Sequence, residues 1–154
     1  MSNKNAVEFL SQYDILQRSC QIIDEQMFEI APLLRELKRE EDAQADKKSE
    51  NVSRRVNKYL DSLSEEYREL SMRKRLLNYR MKMIENVVSS LPKNERKVIE
   101  RFFLSPEKHY AAEDLMEELE FEKTHIYRIR THALEMISEI IENIPLCEET
   151  NEDT

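Results

Sequence analysis

EDLMEELEFEKTHIYRIRTHALEMI, from Glu113 to Ile137, carries two apolar rows at helical spacing that meet at a short polar corner, Glu120-Phe121-Glu122. Ahead of the corner, Ala112, Leu115 and Leu119 recur at three and four residues, the spacing that lines one face of an α-helix. After it, at about 100° per residue, Ile126, Ile129, Ala133 and Ile137 fall within one narrow arc, which is read as the buried face. Thr124, Arg128, Thr131 and Glu135 lie opposite, with Tyr127 and His132 on either side of them. Arg130 lands beside the apolar arc and is expected to pair with a neighbouring helix. Phe121 is expected to plug the space between the two helices. The layout is that of a helix-turn-helix: a supporting helix, a tight turn, and a second helix that shows its N-terminal residues outward. Lys, Thr, Tyr and Arg on such a face supply the donors and acceptors that suit phosphate oxygens and base edges.

Upstream, Leu91-Pro92 marks a boundary, because the residue before proline disfavours helical dihedrals while proline itself suits a first helical turn. PKNERKVIERFFL then reads as a helix with Val98, Ile99, Phe102 and Phe103 inward, and SPEKHY as a loop. Two longer seams precede it. Ala6, Phe9, Tyr13, Leu16, Cys20, Ile23, Met27, Ile30, Leu34 and Leu37 alternate threes and fours, as do Val56, Leu60, Leu63, Tyr67, Leu70, Lys74, Leu77, Met81, Ile84, Val88 and Leu91. That is the heptad pattern of coiled-coil packing. Pro32 predicts a kink or break near Ile30. The polar stretch Glu40–Ser53 lacks apolar periodicity and reads as a loop. Two seams of similar length joined by one loop predict a long antiparallel helical hairpin, whose single buried stripe calls for a partner.

Composition narrows the chemistry. None of the 154 residues is glycine, where average usage would give roughly 10. That excludes the glycine-rich phosphate loops, dinucleotide fingerprints and nucleophile elbows whose backbone tolerates no Cβ. Cys20 and Cys147 are far apart and have no neighbouring ligand cluster, and His109, His125 and His132 are too scattered for a standard metal motif. No apolar run approaches the length of a membrane span. The expectation is therefore a non-enzyme without cofactor or metal, in a reducing, cytoplasmic setting.

The net charge of -8 argues against a nucleic-acid partner until it is split by segment. Residues 1–45 hold 5 basic and 9 acidic groups, residues 46–90 hold 11 and 7, residues 91–137 hold 8 and 10, and residues 138–154 hold none and 6. The C-terminal tail supplies most of the excess, and the helix-turn-helix segment is nearly balanced. Net charge bears on non-specific affinity more than on whether a local patch binds.

From Leu91 to about Ile137 the chain resembles region 4 of the bacterial sigma-70 family. LPKNERKVIERFF is similar to that family's opening helix, and AAEDLMEELEFEKTHIYRIRTHAL to its helix-turn-helix, with Tyr-Arg-x-Arg and Ala-Leu near the end. Glu120 stands where that family often has glycine, and Glu122 where it usually has a Ser or Thr cap; a carboxylate at the cap repels phosphate. A coiled hairpin followed by such a domain is similar to phage late transcriptional activators of the RinA/ArpU type. The resemblance implies a DNA-binding transcriptional regulator of phage or prophage genes, with DNA contacts at Lys123, Thr124, Tyr127 and Arg128; Thr131, on the same outer row, completes the expected face. The implied fold is all-α: a hairpin over residues 1–90 that oligomerises, a helix-turn-helix domain over 91–141, and an acidic disordered tail over 142–154. The implied partners are double-stranded DNA, a second copy in a homodimer and host RNA polymerase, without a membrane, in the bacterial cytoplasm. Two other readings stay open: a small terminase subunit for DNA packaging, and a protein that binds RNA polymerase without touching DNA.

Overall fold

The computed structural model describes the backbone of residues 3–44 and 50–144. Of the acidic tail expected over 142–154, Glu142 and Asn143 end α5, and the part from 145 onward lies outside the described residues, as do the polar linker at 45–49 and Cys147. Everything described is helical or connecting chain: α1 (Lys4–Gln44), α2 (Glu50–Ser89), α3 (Lys93–Ile99), a π-helical turn (Glu100–Leu104), α4 (Ala111–Leu119) and α5 (Lys123–Asn143). Among the described residues there is no strand, and no helix is long and apolar enough to cross a membrane.

The long helices extend further into the polar stretch than composition suggests. Glu40 to Gln44 continue α1, and α2 begins at Glu50, so the loop read from Glu40 to Ser53 is mostly helix. Glu, Asp, Ala, Gln and Lys run helical without an apolar face when a packed helix precedes or follows them, because extending a formed helix avoids the cost of nucleation. Of the kink or break expected near Ile30, the break is absent: α1 runs through Pro32. Pro32 lies on the exposed side of the helix, as does Phe28 one turn earlier. The carbonyl that proline leaves without its N–H partner is that of Phe28, on this exposed side and within reach of water.

The chain packs as two compact units. One comprises Gln17–Tyr79; the other joins the residues up to Leu16 to those from Arg80 onward. In the first unit α1 and α2 run antiparallel. The Cys20 thiol donates to Asn78 Oδ1 at 3.5 Å, and four residues further along α1 Asp24 pairs with Lys74, four residues back along α2. Cys20, Ile23, Ile30 and Val56 are buried, as their seam positions require. From Leu60 to Leu77 the α2 seam is only half-buried, which is what one stripe shared between two helices gives. Lys74, the one charged seam member, keeps its ammonium by leaning onto the Asp24 carboxylate, whose hydrogen bond raises the Lys74 pKa above its usual value. Burial, helped by the nearby Asp24 charge, pushes the Cys20 thiol up.

The second unit holds the larger core. Leu10, Ile84, Val88, Val98, Ile99, Leu115, Ile126 and Ile137 are its largest fully buried side chains. Leu10 lies off the heptad seam and is fully buried, whereas the seam's Phe9 is only half-buried. Tyr13 donates from its hydroxyl to Glu85 Oε1 at 3.2 Å. Val98, Leu115, Ile126 and Ile129 form a cluster, with Phe102, Met116, Leu119 and Phe121 packed around it.

Candidate functional site

The corner between α4 and α5 is made without glycine. Glu120 closes α4 in the left-handed region, at φ 57°, ψ 37°. A Cβ makes that conformation costly, which is why glycine usually holds such positions. Phe121 turns back onto the core cluster, with its ring edge-on to His125 at 4.5 Å between centroids. Glu122 then starts α5 in an extended conformation and accepts the first helical bond, from Ile126 N–H at 3.1 Å. Its side chain makes no cap hydrogen bond.

Two devices fix α4 and α5 against what precedes them. In the π-helical turn, Ser105 N–H reaches back five residues to the Glu100 carbonyl at 2.8 Å. One extra residue per turn rotates the following side chains relative to an α-helix. Phe102 and Phe103 are thereby set around Arg130, whose guanidinium carbon lies 5.0 Å and 5.4 Å from their ring centroids. The second device is Arg101. Its guanidinium donates to the backbone carbonyls of Glu107 and His109, the latter at 2.9 Å, and pairs with Asp114 Oδ2 at 2.7 Å. One side chain thus holds the Ser105–Tyr110 loop and the first turn of α4 together.

With its apolar arc sunk in the core, α5 has one face left. Ile126, Ile129, Ala133 and Ile137 are buried, joined by Leu134 and Ser138. Lys123, Thr124, Tyr127, Arg128 and Thr131 are all exposed. Four of these five, Thr124, Tyr127, Arg128 and Thr131, line one shallow open depression together with His132 and Glu135. Lys123 stands apart from it at the start of the helix, 3.8 Å from Glu113 Oε1 across the corner. The resemblance does not name His132 and Glu135 as contacts. Their spacing from Arg128 and Thr131, one helical turn on, is the signal that places them on the same row.

The members of this face differ in what they offer. Tyr127 is half-anchored, its ring tilted against Phe102 at 5.8 Å, so its hydroxyl projects from a fixed base. The Thr131 hydroxyl donates to the Tyr127 carbonyl at 3.0 Å, which leaves its lone pairs as the part open to a ligand. His132 Nδ1 lies 3.4 Å from Glu95 Oε1. Arg128 is the cation of the row and Glu135 its anion, about 10 Å apart along the helix at 1.5 Å per residue. The N-terminal half of the face is therefore suited to an anionic or hydrogen-bonding ligand, and the C-terminal half is not. Among the described residues no group of three or more His, Cys, Asp or Glu is placed to hold a metal ion.

No family model, curated protein or solved structure matches the chain.

Proposed function

We propose that the protein is a sequence-specific DNA-binding transcriptional regulator of phage or prophage genes, acting in the bacterial cytoplasm. In this reading the two long helices form an antiparallel hairpin, α4 and α5 are a helix-turn-helix of the sigma-70 region 4 kind, and α5 enters the major groove of double-stranded DNA. The observation that carries the reading is the division of α5. Its apolar residues turn inward, Arg130 is engaged by two phenylalanine rings, and Thr124, Tyr127, Arg128 and Thr131 share the outward row behind Lys123. A side chain such as Arg128 can reach guanine O6 and N7, while Lys123, Thr124 and the Tyr127 hydroxyl suit phosphate oxygens. Glu135 confines the contact to the helix's first turns, and Glu122 at the cap favours modest, strongly salt-dependent affinity.

Selection from a randomised duplex library at low salt, with the protein shown folded by circular dichroism, tests this. An enriched sequence of one or two half-sites is the expected result. No enrichment refutes the reading. A ring of about eight or more copies in solution would favour the terminase alternative. Capture of RNA polymerase by the wild type and Arg128→Ala alike, without DNA enrichment, would favour an interaction protein that never touches DNA.

A further inference from the structure

In the Gln17–Tyr79 unit, α2 shows a second apolar row on the side away from its seam. Met72, Leu76 and Tyr79 recur at four and three residues and are 61%, 54% and 53% exposed. Beside them runs a groove of about 1010 Å³ between α1 and α2, lined by Gln26, Glu66, Leu70, Met72, Arg73 and Leu76 among others. The charges along α2 change sign within this groove. Asp61, Glu65, Glu66 and Glu69 lie on its N-terminal side, interrupted only by Arg68, and Arg73 and Arg75 lie on its C-terminal side. All of these side chains are exposed.

A sign change at the centre of an exposed row is the pattern of a surface complementary to itself. A two-fold axis requires that if residue i faces residue j of the second copy, j also faces i. An axis passing beside α2 at the level of Ser71, perpendicular to it, makes the two helices antiparallel. It sets Glu69 against the second copy's Arg73, and Arg73 against its Glu69. Met72 then lies level with the second copy's Leu70, at the edge of the groove. Parallel pairing, by contrast, sets acid on acid and base on base. At roughly 200 Å² per large side chain, the three exposed apolar residues offer about 350 Å² per copy, about three quarters of the apolar area of a standard interface. A standard interface of about 800 Å² per partner is a little over half apolar, roughly 450 Å². Lys74 takes no part, since Asp24 of its own chain holds it.

We propose that this face of α2, carrying Glu69, Met72, Arg73 and Leu76, is the surface on which a second copy of the chain docks, antiparallel and two-fold. The assignment is independent of what α5 binds. The test uses the full chain and sedimentation equilibrium. Wild type is a dimer. Glu69→Arg alone and Arg73→Glu alone each set like charges together twice and weaken the dimer at least about tenfold, with unchanged helix content. Glu69→Arg combined with Arg73→Glu in one chain restores the homodimer. An equimolar mixture of the two single variants forms a heterodimer, because each then meets its opposite. Met72→Glu weakens association in every background. A monomeric wild type, a larger ring, or a dimer indifferent to either single reversal overturns the assignment. So does failure of the mixture to pair when both single variants remain folded.

Discussion

Arg101→Met removes the guanidinium that ties the Ser105–Tyr110 loop to the head of α4 while keeping a side chain of similar reach. With the guanidinium go two charge-assisted bonds, to the backbone carbonyls of Glu107 and His109, and the ion pair with Asp114. The Arg101 side chain is 18% exposed and Asp114 57%, so the ion pair itself is largely screened and contributes about 0.5 kcal/mol. Each carbonyl bond to a charged donor contributes about 1 kcal/mol net at this partial exposure. The substitution is expected to cost about 2–3 kcal/mol in urea unfolding, or roughly 5–10 °C in melting temperature for a chain of this size. Asp114→Asn, which leaves both carbonyl bonds in place, is expected to cost under about 1 kcal/mol. The difference between the two variants isolates the two bonds to the loop. A cost for Arg101→Met below that of Asp114→Asn would refute the idea that one arginine organises the approach to α4.

Glu120→Gly is expected to stabilise by about 1 kcal/mol, read as a rise in urea midpoint, because it relieves the left-handed strain at φ 57°; no rise would show the corner to be unstrained. The Lys74–Asp24 pair gives a pH signature. The raised folded-state pKa of Lys74 means the pair stabilises below the lysine's unfolded pKa and its contribution is lost as pH rises through the folded value. Lys74→Met should therefore remove the pair's contribution at neutral pH and flatten the alkaline limb of the stability profile, whereas an unchanged alkaline limb would contradict the assignment. Cys20, buried and with its thiol pKa raised, should react with iodoacetamide at pH 8 at least about tenfold more slowly in a Cys147→Ser background than after unfolding in urea. Equal rates would show that the α1–α2 contact opens readily.

Much of the fold is legible in the sequence because heptad and 3.6-residue spacing depend on burial alone. Tyr13, Leu16, Cys20, Ile23 and Ile30 are buried where the first seam puts them, and the arc Ile126, Ile129, Ala133 and Ile137 is buried throughout. What escapes depends on the backbone rather than on side-chain pattern. Nothing in ERFFL distinguishes a π-helical turn from an α-helix, so the placement of Phe102 and Phe103 around Arg130 cannot be read from spacing. Apolar spacing understates the length of α1 and α2 because Glu40–Gln44 and the start of α2 carry no apolar face to announce a helix. Pro32 does not break α1 because the cost of proline depends on whether the freed carbonyl finds water, which spacing does not reveal. At the candidate site, the outward position of Thr124, Tyr127, Arg128 and Thr131 is readable from the helical wheel. The pairing of Lys123 with Glu113, across the corner, is not, because it needs the angle between two helices.

The central claim is that the N-terminal half of α5 reads DNA, and the most direct measurement is the affinity of wild type and Arg128→Ala for the selected duplex and for variants of it, across a salt series. Arg128 is exposed, so its removal should leave the melting temperature unchanged. The account predicts a loss of about 1–3 kcal/mol, roughly 5- to 150-fold in Kd, with relaxed preference at one base-pair position. Lys123→Ala, if the lysine meets phosphate, should weaken all duplexes alike and lower the salt slope by about one. Equal affinity of wild type, Arg128→Ala and Lys123→Ala for the selected duplex at every salt concentration would contradict it.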